Sequence, residues 1–171
     1  RQLLVCARDR FGIKPFYYSI VGDLLYFASE MKALIPFLPE IGTDVEGLKD
    51  YLAFQFCLAG KTLFKGVREL LPGHSLTVRK GSVEEKRYWE VYYNLDWTRT
   101  GKYFEDRIRE LVSDSVYFHL RSDVPVGAYV SGGMDSSVVA AMAHKHAGGS
   151  LLGFHGKFSF SKDYDESRYA R

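Results

Sequence analysis

Cysteine is scarce in this chain. Cys6 and Cys57 are the only two among 171 residues, each inside an apolar run and without CxxC spacing. That excludes a disulfide framework and a thiolate metal knuckle, and reads as two buried, reduced thiols in a cytoplasmic protein. A charge of one sign is missing as well: 23 basic residues stand against 21 acidic ones, scattered rather than clustered, for a net charge of +2. No basic stripe is present to follow a nucleic-acid backbone or a membrane surface, so neither is expected as a partner. No apolar run is long enough to cross a bilayer. Internal repeats and low-complexity segments are also absent. The chain opens Arg1-Gln2-Leu3-Leu4-Val5, with neither an initiator Met nor the layout of a signal sequence, and is expected to begin within a strand of a larger protein.

What is present is ordinary globular composition, 46% hydrophobic and 26% charged, which excludes disorder. Two β-branched and aromatic runs between Gln2 and Ile20 flank the loop Arg8-Asp9-Arg10-Phe11-Gly12-Ile13-Lys14-Pro15, and Gly22-Asp23 turns the chain into Leu24–Ala28. The pattern predicts consecutive antiparallel strands. A short helix is expected after Ser29, ending before Pro36, and a second after Thr43-Asp44-Val45-Glu46, whose spacing is that of a capping box ahead of Leu48, Tyr51, Leu52 and Phe56. Leu76 and Val78, the turn Lys80-Gly81-Ser82 and then Val83 predict a hairpin between Pro72 and Trp89.

The pattern breaks into a polar connector between Tyr93 and Gly101, and a domain boundary is placed there, dividing the chain into residues 1–93 and 94–171. Beyond it Phe104, Ile108, Leu111, Val112, Val116 and Leu120 recur at helical spacing. A strand from Val126 to Val130, a glycine-rich loop, a helix through Val138 to Ala147 stopped by Gly148-Gly149, and a strand from Leu151 to Phe154 follow. Strand, helix, strand implies a parallel sheet.

The loop Ser131-Gly132-Gly133-Met134-Asp135-Ser136-Ser137 carries the chemistry. Glycine removes Cβ, and a helix N-terminus presents unpaired amides and positive dipole, so main-chain N–H groups converge there on an anion. Ser136 and Ser137 add hydroxyl donors. Asp135 repels a phosphate unless Mg²⁺ stands between them, which argues for a metal-nucleotide ligand. The competing reading is a plain strand-to-helix turn with a serine cap, and the full string weakens it.

That string resembles the SGGxDS loop of the ATP pyrophosphatases, which split ATP between the α and β phosphates. Ser122-Asp123-Val124-Pro125-Val126-Gly127 before it and Tyr164-Asp165-Glu166 after it resemble asparagine synthetase and its relative the β-lactam synthetase. Further back, Arg8-Asp9 with Gly12-Ile13-Lys14-Pro15, then Ala28-Ser29-Glu30-Met31-Lys32-Ala33-Leu34, Leu71-Pro72-Gly73-His74 and Arg87-Tyr88-Trp89 resemble the latter half of the glutaminase domain of those enzymes.

The resemblance implies a class of α/β and α+β: the C-terminal half of a glutaminase-type antiparallel sheet domain, followed by the first strand-helix-strand units of a Rossmann-like ATP-pyrophosphatase domain. It implies ATP and Mg²⁺, with ATP on Val130, Ser131, Gly132, Gly133, Asp135, Ser136, Ser137 and Gly156, and Mg²⁺ near Asp135. Aspartate, and glutamine or ammonia, are the other implied substrates, and a homodimer is implied for the full enzyme. The glutaminase nucleophile, a Cys whose own α-amino group is the base, is neither Cys6 nor Cys57, because both have acylated nitrogens. A cyclising, β-lactam-synthetase-like enzyme and a non-catalytic nucleotide-binding module remain open beside the synthetase.

Other features carry less. Gly60-Lys61-Thr62 resembles the end of a Walker A loop but has Gln55 where that motif needs glycine. His144 and His146 point apart on a helix and are read as solvated, and His155 as structural. The aromatic runs Phe16-Tyr17-Tyr18 and Trp89 to Tyr93 are read as sheet packing rather than a platform for bases.

Overall fold

The structure, a computed structural model, describes residues 3–157, Asp165 and residues 167–169. Arg1, Gln2, Tyr164 and Glu166 of the stretches quoted above lie outside the described residues. The chain forms two compact units, Arg1–Asn94 and Leu95–Arg171.

The first unit carries two antiparallel three-stranded sheets. Strand β1 (Leu3–Ala7) pairs with β5 (His74–Arg79), and β5 with β6 (Ser82–Arg87), in the order β1-β5-β6. Strand β2 (Tyr17–Val21) lies between β3 (Leu24–Ala28) and the short β4 (Arg68–Glu69). The expectation of consecutive pairing therefore holds for β2 and β3 and fails for β1, whose partner is about seventy residues away, with Cys6 opposite Leu76. The cause is Arg8 at the end of β1. Its buried guanidinium donates to the carbonyls of Lys14, Leu70 and Gly12 at 3.0, 2.6 and 3.1 Å and pairs with Glu69 at 2.8 Å, so the loop folds around a cation instead of reversing into a hairpin. Asp9 completes that loop by accepting from the amides of Phe11, Ile13 and Lys14.

The core of this unit gathers Tyr18, Leu70 and Leu76, with Cys6, Phe16, Leu25 and Val83 packed against them. Cys6 and Cys57 are free but only half-buried, rather than buried as expected, and that partial burial still pushes both thiols above their ordinary range. The first aromatic run packs on the sheet as read, with Tyr18 buried and Phe16 stacked on Phe27 at a centroid separation of 5.6 Å. In the second, by contrast, Trp89 meets the edge of Phe11 at 5.0 Å, and Tyr92 and Tyr93 lie exposed beyond the last strand of the sheet. The hairpin β5–β6 turns on Lys80 and Gly81, both at positive φ (50° and 80°).

Two details depart from expectation. The helix after Ser29 is a pair of 3₁₀ turns, Met31–Ala33 and Ile35–Phe37, and Pro36 lies inside the second because an early helical position asks no N–H of it. Helix α1 (Val45–Phe54) is capped by Asp44, which accepts from the Gly47 amide at 2.7 Å. Thr43 is instead taken up in a bridge to Phe64, so no capping box forms, and Phe56 falls beyond the left-handed Gln55 that ends the helix.

In the second unit α2 (Gly101–His119) is capped by Thr100 and precedes β7 (Gly127–Tyr129). Then come α3 (Met134–His146) and β8 (Leu152–Phe154), which runs parallel to β7 as expected, with Ala128 opposite Gly153. Gly148 and Gly149, at φ 62° and 88°, end α3. Val116 of α2 and Ala143 of α3 are the buried apolar side chains here among the described residues. The whole is a mixed α/β chain of small antiparallel sheets, helices and one parallel pair.

Candidate functional site

The parallel pair delivers the candidate loop. Val130, just past β7, donates its amide to the Phe154 carbonyl at 2.8 Å, so the chain enters the loop still attached to β8. At Gly132 φ is +94°, a conformation that a side chain rarely adopts, and the turn it makes brings Gly133 to the N-cap of α3. Gly133 offers no capping side chain. The amides of Met134, Asp135 and Ser136 are therefore left without intrahelical partners at the positive end of the helix dipole.

Three serines organise the rest. The Ser131 amide donates to Ser136 Oγ at 3.2 Å, and the Gly133 amide to Ser131 Oγ at 3.2 Å. The two hydroxyls lie 3.0 Å apart. Ser136 Oγ and Ser137 Oγ donate to the Gly133 carbonyl at 3.1 and 2.8 Å. The structure thus ties Ser131, Gly133, Ser136 and Ser137 into one network around Gly132. Every one of these hydroxyls can turn from its neighbour to an incoming anion.

Asp135 is exposed on the first turn of α3. Among the described residues no group of three or more His, Cys, Asp or Glu side chains is placed to hold a metal. One exposed carboxylate beside an anion cradle suits Mg²⁺, which keeps waters and takes phosphate oxygens with one or two carboxylates. Gly156 stands apart. It is exposed two residues past β8, nothing lies within 4 Å of where its Cβ would be, and no hydrogen bond ties it to the loop.

His155, read from sequence as structural, is the residue whose contact with the loop was missed. Its Nδ1 donates to the Val130 carbonyl at 2.7 Å. The available signal was positional: the end of a parallel strand beside the loop that follows its neighbour. Asp165 lies nearby, its carboxyl held below the usual range first by the Ser167 hydroxyl and amide, with Lys157 and His155 adding attraction.

The features set aside have structural partners. Lys61 Nζ meets Asp50 at 2.6 Å, and Thr62 Oγ is buried against the Phe64 and Val67 carbonyls, so neither faces a phosphate. His146 Nε2 bonds Ser113 Oγ at 2.9 Å.

Comparison with known families decides the assignment. Residues 1–89 match the family described as glutamine amidotransferase domain, over half of the 171 residues. The chain belongs to the glutamine amidotransferase domain family. From residue 107 to 171 this amidotransferase chain also matches the family described as asparagine synthase, and the two together bear out the resemblance to asparagine synthetases.

Three curated relatives make the same point. Asparagine synthetase [glutamine-hydrolyzing] 1 of Bacillus subtilis (strain 168) is 41% identical over 83% of this chain and 22% of its own length. Asparagine synthetase [glutamine-hydrolyzing] 3 of the same strain is 36% identical over 98% of this chain and 27% of its own. Amidase chyE of Penicillium rubens is 38% identical over 83% and 21%. This amidotransferase chain thus spans between a fifth and three tenths of the length of these relatives. Among solved structures, a glutamine phosphoribosylpyrophosphate amidotransferase from B. subtilis aligns at a TM-score of 0.31 and 16% identity, over 95% of this chain and 32% of that one, too slight a likeness to build on. No helix among the described residues is long and apolar enough to cross a membrane.

Proposed function

We propose that the loop from Ser131 to Ser137 holds the pyrophosphate portion of ATP, within a ligase that converts aspartate to asparagine with ammonia taken from glutamine. The observation that carries this is the uncapped start of α3, where Gly132 at φ +94° opens a ring of amides and serine hydroxyls beside one exposed carboxylate. Residues 94–171 are then the beginning of a Rossmann-like ATP-pyrophosphatase domain, and residues 1–93 the latter part of a glutaminase domain. The four amidotransferase stretches quoted from the first unit support that division.

In this reading an aspartate carboxylate oxygen attacks the α-phosphorus, the bond to the β-phosphate oxygen breaks, and pyrophosphate leaves on the loop. The β-aspartyl-AMP so formed is attacked at its acyl carbon by ammonia, which loses a proton as AMP departs and asparagine forms. The chain's part is to hold the leaving pyrophosphate with the amides of Met134, Asp135 and Ser136 and the hydroxyls of Ser131, Ser136 and Ser137. Asp135 would hold Mg²⁺, which when bound neutralises charge on the leaving group. Val130 and Gly156 flank the nucleotide. Neither Cys6 nor Cys57 takes the nucleophile's part in glutamine hydrolysis, since both nitrogens are acylated and both thiols are pushed toward the protonated form. A homodimer of the full enzyme belongs to the same proposal.

The likeness to a protein named amidase, at 38% identity, favours a second reading in which the same loop serves an acceptor other than aspartate. Calorimetric titration of Mg-ATP into the chain, with pyrophosphate as competitor and Asp135→Ala beside the wild type, tests the site. Saturable binding that pyrophosphate displaces and Asp135→Ala weakens is expected, and a folded chain that takes up no Mg-ATP would sink the proposal. Carboxylate-dependent exchange of labelled pyrophosphate into ATP, measured on the whole enzyme, separates the readings by whether aspartate or another acid supports it.

A further inference from the structure

We propose that His155 is the positioning residue of the anion loop, acting through the single peptide that joins β7 to it. This rests on reading the loop as a pyrophosphate site. The peptide between Val130 and Ser131 is held at both ends: its carbonyl accepts from His155 Nδ1 at 2.7 Å, and its N–H donates to Ser136 Oγ at 3.2 Å. In a planar trans peptide the C=O and N–H point in opposite directions, so fixing the first aims the second. His155 therefore sets the direction of the first amide of the loop, without touching the anion.

The donor is unusual for its place. Val130 N–H makes the regular ladder bond to Phe154, but β8 ends at that residue, and an imidazole supplies the donor that the next ladder amide of a continuing strand would give. A carbonyl only accepts, so Nδ1 carries the proton, and in the neutral ring Nε2 is left as a lone-pair acceptor. Nε2 is buried with no partner among the described residues. A smaller or apolar side chain would end the strand without orphaning a polar atom, and the Nδ1 contact is what the histidine adds.

The test uses the 171-residue chain with His155→Asn, which keeps an N–H near the Nδ1 position, His155→Gln, which moves it outward, and His155→Leu, which removes it. In the ligand-free protein the imidazole ¹⁵N spectrum should show the Nδ1-protonated tautomer. Exchange of the Ser131 amide should be slow in the wild type and in His155→Asn, and about tenfold faster in His155→Gln and His155→Leu. Mg-pyrophosphate affinity should follow the same order, within about threefold of wild type for Asn and about tenfold weaker for Gln and Leu. An Nε2-protonated tautomer, or a leucine variant whose Ser131 amide and pyrophosphate affinity match the wild type, overturns the assignment. If the tautomer and the Ser131 pattern hold while the wild type takes up no pyrophosphate, the reading of the loop as a pyrophosphate site fails and the positioning role of His155 stands.

Discussion

Gly47 stands in the first turn of α1 with its Cα against the Thr62 carbonyl, and a Cβ built there would lie far inside contact distance of that oxygen. Propensity alone favours Gly47→Ala by about 1 kcal/mol. The opposing obstacle is main chain, fixed by the Asp44 amide on Leu63 and by the Thr62 hydroxyl, and it cannot swing aside. Overpacking costs of roughly 3 kcal/mol are expected where nothing yields. Urea denaturation should therefore find Gly47→Ala less stable by about 2 kcal/mol, and a stabilised variant would mean that the helix can shift. Asp9 behaves differently, since it acts through charge on an exposed surface. Its carboxyl is held below the ordinary range, first by the Lys14 amide and then by that of Ile13. A depressed folded pKa contributes stability above the unfolded value near about 4 and loses it as pH falls through the folded one. Thermal melts between about pH 5 and pH 2 should thus fall less steeply for Asp9→Asn than for the wild type.

Elements were legible where the physics is local. Strand, glycine loop, helix and strand from Val126 to Phe154 could be read because periodicity, the glycine pair at 148–149 and the two loop glycines are all determined within a few residues. The β5–β6 hairpin was legible for the same reason. The partner of β1 was not, because what diverts it is the Arg8 guanidinium gathering carbonyls as remote in sequence as Leu70. The cap of α1 slipped by one residue for a similar cause, Thr43 being claimed by Phe64 across the sequence. At the candidate site the loop residues were named in advance, while the contact of His155 was not, because the expected pairing of β8 with β7 does not say which side chain at the end of β8 turns back to the Val130 carbonyl. Local rules also identify one imperfect choice. Lys80 sits at φ 50° ahead of Gly81, where hairpin turns favour Asn. Lys80→Asn should stabilise the first unit by about 0.5 kcal/mol, read from the denaturation midpoint at unchanged slope.

Along the whole molecule, the chain passes from the first unit to the second through a stretch without regular structure. Tyr92, Tyr93, Leu95 and Trp97 are exposed by 71–86%, with no strand or helix between Arg87 and Gly101. Brief digestion with chymotrypsin is expected to cut first at these aromatics, and mass spectrometry should find two fragments that resist further cleavage longer than the intact connector does. First cuts within β5 or α3 would contradict the division into units. The sheet β1-β5-β6 has edges of opposite character. At one edge β6 presents Glu84, Glu85, Lys86 and Arg87, and at the other β1 presents Leu3, Leu4 and Val5, all exposed. A charged rim discourages a foreign strand from docking, and an apolar one invites it. Self-association of this chain through strand addition should therefore proceed from the β1 side alone, and Val5→Lys should slow the growth of light scattering on storage where a lysine placed in β6 leaves it unchanged.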